Sequence, residues 1–272
     1  MKQHKLEAPT PADLVDKLLD VAGPELVLVG GQALAIWLGL YGLRERRPAV
    51  PAVSNDVDFL ARSPADKSPV ARMADVIHGK AVYPSRRVLT ALVGQAMLDV
   101  SDDEYLNVDV IFKVVGIEGD SIRKRAVAVQ PAGRPAFLVM HPLDVLRSRV
   151  ANLHKLPAKQ NEKGETQLAL AIDVGRAFLH EQSRATDPAA TAHGRSPIQD
   201  YVSAIEKIAT EDAGRKIAQR HGLYVADAID PHLVPPGPFW TKRWPSLKQL
   251  MSPAYVASLP PAPADSMPVK KP

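Results

Sequence analysis

An uncharged apolar stretch interrupted by two glycines constrains the fold of the N-terminal half more than any other feature. The stretch is LVLVGGQALAIWLGL, residues 26–40, and no charged residue occurs between positions 26 and 43. It could be a short membrane span, because arginines follow it closely, or a buried hairpin. It could also be a buried strand that turns on Gly30 and Gly31 into a helix. The run is barely long enough for a span and contains polar Gln32, so we predict the strand, turn and helix.

A pair of carboxylates follows the glycines. Asp56 and Asp58 lie in DVDFLA, which alternates polar and apolar residues as a half-buried strand does. Side chains two positions apart on a strand point to the same face, and two carboxylates so close repel unless a cation neutralises them. Mg²⁺ commonly takes one or two carboxylates together with substrate phosphates. The pair therefore predicts a divalent metal site.

A third carboxylate, Asp109, lies in the apolar segment LNVDVIF. A lone Asp in such a strand is costly when it is buried without a partner. An adjacent strand that carries Asp56 and Asp58 would supply the reason for it. Three carboxylates on neighbouring strands can hold two metal ions for in-line displacement at phosphorus, so we predict all three as metal ligands and catalytic residues.

The glycine pair is a candidate phosphate site. A strand that turns on Gly30 and Gly31 into a helix offers free N–H groups and the positive end of the helix, and Gln32 adds an amide donor. In a predicted helix at 141–156, Arg147 could reach a triphosphate with a guanidinium suited to phosphate. Each motif alone is more often structural, as a turn, a solvated face or a surface ion pair. Their ordered combination is more specific.

The order of predicted elements indicates an α/β (α+β) fold. Strands alternate with helices in the first half, and helices dominate the second. We predict a catalytic domain at 1–140, a helical domain at 141–251, and a disordered or extended tail at 252–272, which is rich in Pro, Ala and Ser. Further helices are predicted at 63–79, with Ser63 as the N-cap, at 163–182 and at 196–220. Thr10 is predicted to cap the first helix.

Composition and charge limit the class of protein. The chain has no cysteine, which excludes disulfides, thiolate zinc sites and cysteine nucleophiles and suits a reducing cytosol. The N-terminus has no apolar signal region, so we expect a cytoplasmic protein without membrane attachment. A net charge of +4 and a pI of about 9.2 are compatible with RNA or nucleotide partners. A basic rim for RNA is one interpretation, and a solvated face is the other, for Arg44, Arg46, Arg47, Arg86 and Arg87.

The segments VGGQALAIW, SNDVDFLA and LNVDVIF, in this order, resemble the nucleotidyltransferase superfamily with the polymerase-β-like fold. Within it, the bacterial AbiEii-type toxin branch is most similar, and the similarity covers roughly residues 25–180. The resemblance implies a mixed sheet with flanking helices and a helical C-terminal region. It also implies two Mg²⁺ ions and transfer of NMP from an NTP such as ATP to an RNA, for example tRNA, or to a protein. In that branch the enzyme is the toxin of a toxin–antitoxin or phage-defence system, with a cognate antitoxin or regulator as partner.

The resemblance also implies roles for individual residues. Gly30 and Gly31 match the phosphate turn, Asp56 and Asp58 match the metal pair, and Asp109 matches the carboxylate that helps activate the attacking hydroxyl. The spacing from Gly31 to Asp56 is longer than usual for the superfamily because of the basic loop at 43–55. A non-catalytic nucleotide- or RNA-binding regulator on the same fold, antitoxin-like, is the alternative. The three intact carboxylates favour the enzyme.

Overall fold

An eight-stranded mixed sheet lies in the first of the two units into which the chain divides, Met1–Ser148 and Arg149–Pro272. The computed structural model of the chain describes residues 5–44, 54–85, 87–185 and 197–263. Most of the predicted loop at 43–55, with Arg46 and Arg47, lies outside these ranges, as does Arg86.

The sheet places the strands in the order β4-β5-β6-β3-β2-β8-β7, and β1 pairs with β6. Neighbours are parallel in the pairs β1·β6, β3·β6 and β2·β8 and antiparallel in the others. The strands are β1 (Leu6–Glu7), β2 (Val27–Val29), β3 (Val57–Leu60), β4 (Lys80–Val82), β5 (Leu92–Asp99), β6 (Glu104–Ile111), β7 (Val127–Val129) and β8 (Phe137–Val139). The predicted mixed α/β class is confirmed, and the specific polymerase-β-like fold stays a prediction.

The helices of the first unit are α1 (Ala12–Ala22), α2 (Gly30–Leu40), α3 (Ser68–Val76), α4 (Gly119–Arg125) and the first half of α5 (Pro142–Lys155). The predicted strand, turn and helix at 26–40 are confirmed, since β2 leads directly into α2. All three residues of β2 are buried, and strands pair with both of its edges. The Trp37 indole in α2 donates a hydrogen bond of 2.8 Å to the Met140 carbonyl.

One face of β5 and β6 is covered by α3. On this face Val108 and Val110 of β6 are almost fully buried. The residues that alternate with them include Tyr105 and Asp109, which are only partly buried. The two faces of β6 therefore differ, and the Asp109 face is the more open one.

Two predicted helix starts are wrong. Helix α1 begins after Pro11 without a side-chain cap, because the Thr10 hydroxyl donates instead to the Asn55 carbonyl at 2.8 Å. Helix α3 begins at Ser68 rather than beside Ser63, whose hydroxyl accepts a hydrogen bond from the Ala65 N–H in a local turn. In both places the hydroxyl makes another hydrogen bond instead of capping the helix: a local one at Ser63, and one to a residue 45 positions away at Thr10.

The second unit is helical, with the rest of α5, then α6 (Glu162–Ala185), α7 (Pro197–Thr210), α8 (Asp212–His221), α9 (Trp244–Leu247) and α10 (Pro253–Ser258). Short 3₁₀ turns occur at Pro157–Lys159, Val225–Ala228, Pro231–Leu233 and Lys248–Leu250, and a π-helical turn at Phe239–Arg243. The single helix predicted at 196–220 is two helices, because the backbone of Glu211 is extended. The prediction of a disordered or extended tail from residue 252 is wrong for 253–258, which form α10, and residues 264–272 lie outside the described ranges.

None of the helices in the described ranges is long and apolar enough to cross a membrane.

Candidate metal and phosphate site

Three carboxylates converge where β3 and β6 run side by side. Asp58 in β3 lies directly opposite Asp109 in β6, and Asp56 immediately precedes β3. One ligand atom from each of the three residues lies within 4.8 Å of the others, and all three residues are partly buried. The structure thus brings together the carboxylates that the sequence singled out. An all-oxygen set of this kind suits a hard cation such as Mg²⁺.

Asp109 is held by two amides. Gln95 Nε2 and Asn107 Nδ2 donate hydrogen bonds of 2.9 and 2.8 Å to the same atom, Asp109 Oδ1. Burial raises the pKa of Asp109, and the negative charge of Asp56 adds to this effect, whereas the two amide hydrogen bonds lower the pKa. Because burial is the largest cause, Asp109 has a higher affinity for a proton than an exposed carboxylate has.

Asp56 is held by the residues that precede it. The Ser54 hydroxyl donates to Asp56 Oδ1 at 2.5 Å, and Gln32 Nε2 donates to the Ser54 carbonyl at 3.3 Å. The Asn55 carbonyl accepts from both the N–H and the hydroxyl of Thr10, at 2.9 and 2.8 Å. The segment that carries Asp56 is therefore fixed to α2 on one side and to the chain before α1 on the other.

The glycine pair lies against the same carboxylates. Gly30 has a φ of +68°, and a Cβ added there would lie 1.9 Å from Asp58 Oδ2. A Cβ on Gly31 would lie 2.3 Å from Ser54 Cβ. Both positions require glycine, because the turn packs directly on the side chains that form the carboxylate cluster.

The N-terminus of α2 provides positive potential at this point. The helix begins at Gly30, its first turn has no acidic residue, and Val29 at the N-cap has no side chain that can accept a hydrogen bond. The N–H groups of the first turn and the helix dipole favour an anion there. This positive potential would stabilise the negative charge of the Asp58 carboxylate and of a bound phosphate.

Two of the predicted phosphate ligands have other contacts. The Gln32 amide binds the Ser54 carbonyl, so it anchors the segment that carries Asp56. Arg147 lies on α5, where its charge lowers the pKa of Asp144, although burial leaves that pKa raised overall. Its role beside a triphosphate stays a prediction. Of the predicted basic rim, Arg44 donates to the Ala35 carbonyl at 2.9 Å and Arg87 is exposed.

Four residues of this site were not predicted from the sequence. Ser54 and Asn107 each precede a predicted Asp by two positions, so the period of a strand could have identified them. Gln95 contacts Asp109 from a strand whose register the sequence does not reveal. Tyr105 lies on the Asp109 face of β6. Burial raises its pKa, and the negative charges of Glu7, Asp109 and Asp56 add to this effect. The contributions of Asp109 and Asp56 show that Tyr105 is close to the site.

The arrangement combines a cluster of carboxylates with a helix N-terminus that favours anions. Such a combination can bind a polyanion together with divalent cations: the carboxylates bind the cations, and the N–H groups of the helix N-terminus bind the polyanion. A carboxylate with a raised pKa in the same cluster can accept a proton. In comparisons with known proteins, no family model matches the chain, and no curated protein matches it.

Proposed function

We propose that the protein is a Mg²⁺-dependent nucleotidyltransferase, which transfers NMP from an NTP to a hydroxyl group of an RNA or protein acceptor. One observation carries the proposal: Asp56, Asp58 and Asp109 meet within 4.8 Å beside the glycine turn at the start of α2. Carboxylates for cations and N–H groups for phosphate are the two requirements for binding an NTP as its magnesium complex.

The residues present fit a divalent cation. Within the described ranges, the hydrogen bonds to Asp56 and Asp109 come from neutral donors, namely the Ser54 hydroxyl and the amides of Gln95 and Asn107. These donors orient the carboxylates without neutralising them, so negative charge remains for a cation. When bound by Asp56, Asp58 and Asp109, Mg²⁺ would supply Lewis-acid stabilisation of the charge on the reacting phosphate.

The residues of the chain have separate roles in this reaction. The N–H groups at Gly31 and in the first turn of α2 bind the phosphates of the NTP. Asp109, which also contacts the metal, accepts the proton of the attacking hydroxyl. The hydroxyl oxygen forms a bond to the α-phosphorus, the bond from this phosphorus to the bridging oxygen breaks, and pyrophosphate leaves.

The acceptor and the biological role follow from the resemblance to AbiEii-type toxins. An RNA acceptor such as tRNA agrees with the net charge of +4, and a protein acceptor is the other candidate. As a toxin, the protein would have a cognate antitoxin or regulator as partner.

Transfer of a radioactive label tests the proposal. The full chain is incubated with Mg²⁺ and each of the four NTPs labelled at the α-phosphate, together with total tRNA and cell protein. We expect label on one acceptor class with the wild type, and a loss of at least about a hundredfold with Asp58→Asn, because a metal ligand is replaced by a neutral amide. The control is Asp102→Asn, an exposed carboxylate between β5 and β6, which should keep full activity.

The proposal fails if the wild type transfers no more label than Asp58→Asn with either acceptor class. Equilibrium dialysis then decides the alternative. NTP binding that depends on Mg²⁺ and is lost in Asp58→Asn, without transfer, would indicate a non-catalytic nucleotide-binding regulator.

A further inference from the structure

A β-bulge in β5 brings Gln95 to the site. Leu92 lies opposite Ile111, whereas Gly94 lies opposite Val110, so β5 contains one extra residue in this interval. Without the shift, Gly94 would lie opposite Asp109, and Gln95 would lie opposite Val108 on the face that α3 covers. A shift by one residue moves every following side chain to the other face, and bulges near active sites often re-aim a side chain in this way. Here the shift places Gln95 directly opposite Asp109.

Gln95, Asn107 and Asp109 form a closed triangle of hydrogen bonds. Both amides donate to Asp109 Oδ1, and Gln95 Nε2 also lies 3.3 Å from Asn107 Oδ1. Asn107 is only 5% exposed, so its amide groups need partners inside the protein, and both have partners in the triangle. The triangle fixes the orientation of the Asp109 carboxylate from two strands.

The chemistry of the two donors differs from that at two other carboxylates of the first unit, Asp99 and Asp144. Asp99 is bound by Lys5 and Lys80, and Asp144 is bound by Arg125. A cationic partner orients a carboxylate but also neutralises it and competes with a metal ion. An amide donates a hydrogen bond and adds no charge, so Asp109 is oriented and keeps its negative charge.

We propose that Gln95 and Asn107 are positioning residues, which hold the Asp109 carboxylate in the orientation that binds a divalent cation. The inference rests on the proposed function because it takes the carboxylate cluster to be a metal centre. Gln95 and Asn107 do not contact the substrate. They act through Asp109, by raising the affinity of the site for metal. Partners of metal-ligating carboxylates commonly contribute in this way.

The test measures binding of Mn²⁺ alone to the full chain without nucleotide. Free Mn²⁺ is followed by its EPR signal, well below the unfolding temperature of every variant. We expect Gln95→Met, which keeps the length of the side chain but has no amide, to raise the Kd for Mn²⁺ by about tenfold or more. Met97→Leu is the matched control, because Met97 lies on the same face of β5, opposite Asn107, and should leave the Kd unchanged.

Asn107→Leu is the second variant, and it should weaken Mn²⁺ binding similarly; if its burial prevents folding, Gln95→Met decides. A purely structural role for Gln95 would lower the unfolding temperature and leave the Kd within about twofold of wild type, and that result would overturn the inference. If the wild type binds no Mn²⁺, the metal centre, the proposed function and the positioning role all fail. If the wild type binds Mn²⁺ and Gln95→Met binds it equally well, only the positioning role fails.

Discussion

Gly30 occupies the point at which the phosphate turn and the carboxylate cluster touch. Its positive φ and the 1.9 Å approach of Asp58 Oδ2 to a hypothetical Cβ are independent reasons for glycine. The sequence predicted the turn from the glycine pair. It could not predict that Asp58 is the residue against which the turn packs, because that contact depends on the pairing of Val29 with Asp58 across β2 and β3.

We predict that Gly30→Ala destabilises the protein by about 1–3 kcal/mol and displaces Asp58. Gly39→Ala is the matched control in the same helix, because nothing lies within 4 Å of its added Cβ. That variant should be stabilised by about 0.5–1 kcal/mol, since alanine is a better helix former than glycine. Urea unfolding of both variants checks the prediction, and equal stabilities would contradict it.

Two titratable groups with shifted pKa values lie at the start of α5: Asp144, which is buried, and His141, which is partly buried. Burial raises the pKa of Asp144 to about 6, and the nearby charges of Arg125 and Arg147 oppose this effect. Burial lowers the pKa of His141 to about 4, and the charge of Arg125 contributes to the decrease. Over the same pH range the two groups change the stability in opposite directions. In the wild type these two pH-dependent changes therefore partly cancel.

We predict that Asp144→Asn gains stability relative to the wild type as pH rises from about 4 to 6. In this window the unfolded chain has lost the Asp144 proton and the folded chain has kept it, so rising pH destabilises the wild type only. The difference between a pKa of about 6 and the ordinary 3.8 corresponds to at most about 3 kcal/mol. Urea unfolding across this range measures it, and a difference between the two proteins that does not change with pH would refute the prediction.

At the scale of elements, the strands that carry the site were predictable and their register was not. The alternation in DVDFLA and LNVDVIF indicated β3 and β6 and put the carboxylates on one face. Gly94 is the one sequence signal of the bulge in β5, since an isolated glycine in a strand often marks a bulge, but it does not reveal the register, so Gln95 could not be placed opposite Asp109. Asn107 shares a face of β6 with Asp109, and Ser54 lies two positions before Asp56, so both could have been identified.

Helix α10 shows a second limit of composition. The segment is rich in Pro and Ala, yet Ser252 caps it by accepting from the Tyr255 N–H at 3.2 Å, and Pro253 takes the first helical position. Asp227 accepts from the Ser252 N–H at 2.8 Å and from its hydroxyl at 2.7 Å. The guanidinium of Arg176 lies 4.5 Å from the centre of the Tyr255 ring. Contacts within the second unit therefore stabilise a helix that local composition did not predict.

We predict that Ser252→Ala destabilises the protein by about 1–2 kcal/mol, because it removes both the cap and one hydrogen bond to Asp227. Ser258→Ala, at an exposed position in the last turn of the same helix, should change the stability by less than about 0.5 kcal/mol. Thermal unfolding monitored by circular dichroism compares the two. Similar losses in both variants would show that the cap is not the stabilising contact.

At the scale of the whole molecule, the change from a mixed sheet to helices was predictable from the periodicity of apolar residues. Every residue of the candidate site lies in the first unit, Met1–Ser148. The buried apolar residues of the second unit include Leu168, Ile205 and Ile217. The identity of the nucleotide and of the acceptor does not follow from the carboxylate cluster, because metal and phosphate binding are common to many transfer reactions.

The most direct test of the central claim compares two labels on one NTP. The full chain, with Mg²⁺ and the acceptor class that accepts label, receives the preferred NTP labelled either at the α-phosphate or at the γ-phosphate. We predict that the acceptor gains the α-label and not the γ-label, and that Asp109→Asn abolishes the gain. Transfer of the γ-label alone, or α-label transfer that persists in Asp109→Asn, would contradict nucleotide transfer by this carboxylate cluster.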